Sequence, residues 1–140
     1  MTAEEIIALL DLQPHPEGGH YKQTWIAEAE AGVRPSGTCI YFLLKAGERS
    51  HWHHVDAAEI WHWYAGGPVI LSTAATSAGP RVDHMLGPDL AAGQRPQQIV
   101  ETGHWQAARG LDHWALVGCT VSPAFQFSGF TLAPEGFDIT

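Results

Sequence analysis

From Thr38 to Leu132 the chain is written in short runs of β-branched and aromatic residues separated by turn signals, with no room for a helix of about ten residues or more between them. The runs are Thr38 to Leu44, Glu59 to Tyr64, Val69 to Thr73, Gln98 to Glu101, His113 to Val121 and Gln126 to Leu132. Strands at such intervals predict an all-β fold, an antiparallel sandwich or barrel, rather than βαβ units. Ser77 to Gln97, with Gly79-Pro80 and Gly93, reads as hairpins and a long loop. Ahead of the strands, Thr2-Ala-Glu-Glu5 fits a capping box, and Ile6, Ile7, Leu9 and Leu10 continue it as a helical stripe that Pro14 and Pro16 end. The Pro- and Gly-rich segment Pro14 to His20 then leads into a strand over Tyr21 to Trp25.

At 140 residues, with 45% hydrophobic content and six Trp, the chain predicts one domain over residues 1–140 with one substantial core. Its formal charge of −8 argues against nucleic acid or an anionic membrane as partner, since both need a cationic surface. A small-molecule ligand is the partner expected. Cys39 and Cys119 lie in apolar runs and read as small buried hydrophobes. The N-terminus has no basic region followed by an apolar stretch, and no run approaches the roughly 18 apolar residues of a membrane span, so the expected location is cytoplasmic.

Chemistry concentrates between Gly47 and Gly66, which hold His51, His53, His54 and His62, four of the nine histidines, together with Glu59. Imidazole and carboxylate at close range bind divalent metals or move protons. Strand alternation puts Glu59, Trp61 and Trp63 on one face and Ile60, His62 and Tyr64 on the other, and it puts His51, His53 and Val55 together with His54 on the reverse. A turn at Asp56 to Ala58 then brings His53 and Glu59 side by side on adjoining strands.

The spacing of Gly47, His53, Val55, Glu59 and Gly66 resembles the first motif of the cupin superfamily, in which two histidines one residue apart and a later glutamate bind a metal. Val55 stands in place of the second histidine, and Gln106, after the turn at Gly103, in place of the histidine of the second motif. More closely, the chain resembles the cupin_5 (DUF985) family of RmlC-like cupins. The resemblance rests on Leu12 to Gly19, Ile40 to Leu44, Trp52-His53, Glu59 to Gly66, Leu86 to Leu90, Gly103 to Ala107 and Leu116 to Val121. It implies a jelly-roll barrel, the double-stranded β-helix of cupins, and a homodimer.

An amide oxygen is a poor ligand for zinc, nickel or iron. The residues therefore favour a pocket without metal. A divalent transition metal held by His53, Glu59 and Gln106, with His51 as an additional candidate, stays as the alternative and would carry oxygenase or lyase chemistry. Metal-free sugar-nucleotide epimerases, which use a histidine base beside a carbonyl, are the cupins most similar in this respect. Two readings follow. In one, the chain is an isomerase-like or epimerase-like enzyme with His53 as base and Glu59 orienting it or acting as second acid-base group. In the other, it is a cupin that binds a sugar or carboxylate derivative without turnover. Trp61, His62, Trp105, Gln106, Tyr41 and Glu17 are the expected ligand contacts, with Glu17 folded over the mouth of the barrel on its flexible glycines.

Overall fold

A computed structural model describes residues 1–140. One helix, α1 (Ala3–Leu10), precedes eleven strands. They are β1 (Gln13–Pro14), β2 (His20–Ile26), β3 (Thr38–Leu44), β4 (Arg49–Val55), β5 (Ala58–Gly66), β6 (Val69–Ala74), β7 (Val82–Leu86), β8 (Gln97–Val100), β9 (Trp105–Gly110), β10 (Ala115–Ser122) and β11 (Phe130–Leu132). A six-stranded sheet in the order β1-β2-β3-β10-β5-β8 faces a five-stranded sheet in the order β11-β4-β9-β6-β7, and the strand pairs are antiparallel. This is the expected antiparallel barrel. No helix is long and apolar enough to cross a membrane.

Three elements depart from the sequence expectation. The helix stops at Asp11, before either proline, because Asp11 takes a left-handed φ of 55° and turns its N–H onto the carbonyls of Ala8 and Ile7. Strand β9 contains Ala107, Ala108 and Gly110, weak strand formers, and owes its form to pairing with β4 on one side and β6 on the other. Only the last three residues of the run ending at Leu132 are strand, since Phe127–Gly129 coil into a 3-10 turn. At the start of the chain, Thr2 accepts from the Glu5 N–H as the capping pattern requires. Thr2→Ala is expected to lower stability by about 1 kcal/mol, read as a shift of the denaturation midpoint.

Strand alternation decides what lies inside. Along β3 the inward series is Thr38, Ile40, Phe42 and Leu44, and along β10 it is Ala115, Val117, Cys119 and Val121. Phe42 and Leu44 join Trp61, Val69, Leu71, Leu86, Val117 and Cys119 in the main core, which plugs one end of the barrel. At the other end Thr38, Ile40 and Val121 border open space. Helix α1 covers the outer face of the six-stranded sheet, packing Ala3 and Ile6 with Leu12 on Leu43. The C-terminal segment covers part of the other sheet, where Ala133 and Ile139 pack on Trp52 and Ala74.

Candidate functional site

The open end of the barrel encloses a cavity of about 220 Å3. Two imidazoles and two carboxyls line it: His15, His53, Glu17 and Glu59. Tyr21, Gln23 and Thr38 add polar atoms, and Ile40, Val55, Val121, Phe125 and Phe127 supply an apolar wall. No lysine or arginine is among the lining residues.

His53 and Glu59 converge here by a route other than the one the spacing suggested. Strands β4 and β5 do not pair; they belong to opposite sheets, so the two side chains meet across the barrel interior instead of standing side by side. On β4 the pairing with β9 slips between Ser50 and His53, Ser50 lying opposite Ala108 and His53 opposite Gln106. The extra residue of this bulge points both Ser50 and His53 inward, where each is almost fully buried. It also puts Trp52 on the outer face, and the His51 ring reaches outward to the Pro134 carbonyl at 2.9 Å. His51 therefore does not share the side of His53.

Glu17 enters from outside the sheets. Its segment is laced to β4, with the His51 N–H donating to the Glu17 carbonyl at 2.7 Å. Gly18, at φ 108°, lies so close to the Arg49 carbonyl that a Cβ would collide with it. The Glu17 carboxyl accepts from the Ser50 hydroxyl, and its oxygens lie 3.3 Å from His15 Nδ1 and 3.5 Å from His53 Nε2. His15 Nδ1 accepts from the Glu17 N–H at 3.1 Å, so its proton resides on Nε2. His53 Nδ1 lies 2.7 Å from the His51 carbonyl, which can only accept. The neutral ring is thereby fixed with its proton on Nδ1, leaving a lone pair on Nε2 beside Glu17. At 3.5 Å that pair is uncommitted.

Burial governs the charge states. It lowers the pKa of His15 to about 4, aided by the neighbouring His53, and it raises that of Glu17 to about 8 against the pull of the Ser50 hydrogen bond. It also lowers His53, which the charge of Glu59 opposes, and raises Glu59, which the charge of His53 opposes. Near neutral pH the site therefore holds two neutral imidazoles and a protonated Glu17.

These shifts carry a sign for stability. Unfolded Glu17 loses its proton above about 4.5, whereas the folded protein holds it until about 8, so its ionisation weakens the fold as pH rises through that window. His15 acts oppositely, weakening the fold as pH falls from 6.5 towards 4. Glu17→Gln is expected to gain on the parent from about pH 4.5 upward, reaching on the order of 3 kcal/mol by pH 8. Denaturant titrations of both proteins across this range check it. A constant difference would contradict the burial of an ionisable Glu17.

The remaining sequence candidates lie around the cavity, not on it. Gln106 is fully buried behind Glu59, donating to its Oε1 at 2.8 Å while accepting from Trp61 Nε1 at 2.8 Å. Trp61 is part of the main core and positions Gln106 instead of stacking on a ligand. Trp105 is on the opposite face of β9, against Phe137 and His54. Tyr41 packs under α1 and beside Tyr64, and His62 bonds Thr120 and Gln97 on the outer face of its sheet. Alternation identifies a face but not a depth along the barrel axis, which is why Trp61 and Gln106 face inward yet fall short of the cavity. The structure adds His15, Gln23, Phe125 and Phe127, which sequence reasoning missed. The flanking Pro14 and Pro16 are the signal for His15, since they stiffen the backbone that aims it.

The donor set named from the sequence, His53, Glu59 and Gln106 with His51, does not assemble around a metal. Both ends of the Gln106 amide are engaged within the protein, Val55 presents methyl groups, His51 faces away, and no three His, Cys, Asp or Glu side chains are arranged to hold an ion.

The sequence model of one family, Cupin_5, described as "Cupin superfamily (DUF985)", matches residues 4–133. Among solved structures, a protein from Shewanella oneidensis is similar at 38% identity and a TM-score of 0.88, over 95% of this chain and 85% of that one. A hypothetical protein from Leishmania major is similar at 28% identity and a TM-score of 0.85, over 98% of this chain and 90% of that one. Bacillus subtilis oxalate decarboxylase shares the fold at 14% identity and a TM-score of 0.66, over 86% of this chain and 29% of that one. No curated protein matches the chain.

Proposed function

The chain belongs to the Cupin_5 (DUF985) family of the cupin superfamily, and on that premise we propose that its cavity binds a small uncharged hydroxy-carbonyl compound and shifts a proton on it, as an isomerase or epimerase does. The observation that carries this reading is the pairing of His53 Nε2, a fixed lone pair, with Glu17, a carboxyl kept protonated to about pH 8, 3.5 Å apart in one buried space. A carbonyl compound isomerises when a base takes the proton from the adjacent carbon while an acid gives one to the carbonyl oxygen. Here His53 Nε2 takes the carbon-bound proton, Glu17 protonates the oxygen, and an enol results. His53 then returns its proton to the other face of the same carbon while the enol O–H gives its proton back to Glu17, an epimerisation, or to the former carbonyl carbon while the neighbouring hydroxyl gives its proton to Glu17, an isomerisation. Glu59, held by Gln106, balances the imidazolium that forms at His53.

The uncharged ligand class follows from the lining. An anion entering the cavity would be desolvated beside two carboxyl groups without a cation to receive it. Of the two classes that the sequence left open, the sugar-like one thus has the support and the carboxylate does not. The volume of about 220 Å3 is below the roughly 300–1,000 Å3 of typical ligand sites and suits a compound the size of a short sugar or keto-alcohol. The exposed apolar residues Trp25 and Ile26, at the end of β2 beyond its pairing with β1, support the homodimer that the family resemblance suggested.

A thermal-shift panel of small sugars, keto-alcohols and their carboxylate counterparts tests the ligand class. Uncharged members should stabilise the protein and carboxylates should not. Incubation of the binders in D2O, followed by NMR, then tests proton transfer, with deuterium appearing at the carbon next to the carbonyl. Binding without exchange would leave the protein as a ligand-binding cupin without turnover.

A further inference from the structure

A second concavity, about 480 Å3, lies on the outer face of the five-stranded sheet, beside the C-terminal segment. It is remote in chemistry from the barrel interior, for it gathers Arg49, Arg81 and Arg109, three of the chain's seven basic residues. Arg49 on β4 and Arg109 on β9 are direct cross-strand partners, and both side chains are exposed on the same face. Like charges placed opposite each other across two strands destabilise the pair.

The other five basic side chains have partners. Lys22 pairs with Asp11, Arg34 with Asp56, Lys45 with Glu4 and Arg81 with Asp83, while Arg95 donates to the carbonyls of Leu90 and Gln94. Arg49 and Arg109 alone have neither an ion pair nor a hydrogen bond. Two carboxylates line the same groove: Asp83 accepts from Ser72 and pairs with Arg81, while Asp138 accepts from Trp52 Nε1 and the Ile139 N–H and feels the charges of Arg81 and Arg49 without bonding either. In an acidic chain that satisfies its other cations internally, two adjacent free guanidiniums beside a third form a fork for an oxyanion.

We propose that this groove binds a phosphate group, with Arg49 and Arg109 donating to its oxygens and Arg81 closing the site. The anion would replace a repulsive cross-strand pair by two charge-assisted, fork-like contacts. The phosphate can be free or carried on a small molecule.

Pyrophosphate and inorganic phosphate, titrated at constant ionic strength against chloride, test the site through melting temperature and calorimetry. A saturable rise in melting temperature is expected for the parent, larger with pyrophosphate. The double variant R49Q/R109Q should weaken binding about tenfold for each guanidinium removed. R49K/R109K, which keeps the charge but loses the fork, should fall between. Glycerol phosphate, a soluble phosphomonoester, if bound better than inorganic phosphate, would identify the carried form as the source. Equal responses in parent and double variant, or no response in either at millimolar anion, would overturn the proposal. Should the double variant fail to fold, R49Q and R109Q singly decide it by the same measure.

Discussion

Deuterium entry into the bound ligand should fall about 100- to 10,000-fold when His53 is replaced by Asn or Glu17 by Gln. Both replacements stay close to the size of the original side chain and remove one proton-transfer function. In His53→Asn the amide can still present a polar atom near the His51 carbonyl but has no lone pair of comparable basicity, so removal of the carbon-bound proton loses its acceptor. In Glu17→Gln the new side chain can still accept from the Ser50 hydroxyl, yet an amide has no acidic proton to give to a carbonyl oxygen. The two variants are separable by pH. In the parent, exchange should decline above about pH 8 as Glu17 ionises, and the decline belongs to Glu17 alone if it vanishes in Glu17→Gln. NMR-monitored exchange, with ligand binding confirmed independently for each variant, makes the comparison. Undiminished exchange in Glu17→Gln would remove the acid role of Glu17, and undiminished exchange in His53→Asn would end the enzymatic reading.

Gly18→Ala is expected to cost roughly 2–5 kcal/mol, the sum of a left-handed backbone imposed on a residue with a Cβ and an overlap with rigid main chain. Gly18 has φ 108°, and the atom that an alanine Cβ would meet is the Arg49 carbonyl oxygen, which β4 holds in place. Neither side can yield cheaply. The alternative to lost stability is displacement of the whole Pro14 to Gly19 segment, which would withdraw His15 and Glu17 from the cavity. Chemical denaturation distinguishes the two outcomes, because a displaced segment leaves the midpoint near that of the parent while abolishing ligand binding. A variant with parental stability and parental binding would show that the close approach to β4 is not required.

The barrel was legible because burial on one face forces alternation, and alternation survives in Thr38 to Leu44 and Glu59 to Gly66 without any help from tertiary context. Strand β9 was not legible, since Ala107, Ala108 and Gly110 carry no strand preference of their own and are extended only because β4 and β6 flank them. His53 and Glu59 could be placed in one cavity from their spacing. Their arrangement across two sheets could not, because a short turn reads the same whether its strands pair or diverge. The fate of His51 turned on the bulge at Ser50 to His53, a slip in register that leaves no mark in composition. Glu17 was visible through its glycines, whereas His15, Phe125 and Phe127 come from segments far apart in the chain and meet only after the fold closes.

The lacing of Pro14 to Gly19 onto β4 divides the molecule's labour in a way that bears on its history. The sheets contribute the imidazole and the hydroxyl, but the carboxyl that faces them arrives on a strap outside every long strand. Exchange of that strap alone, through a handful of codons, would re-equip an unchanged barrel with a different acid, a cation or nothing. Divergence of chemistry among such proteins is thus expected to concentrate in their leading segments while the barrel walls stay put.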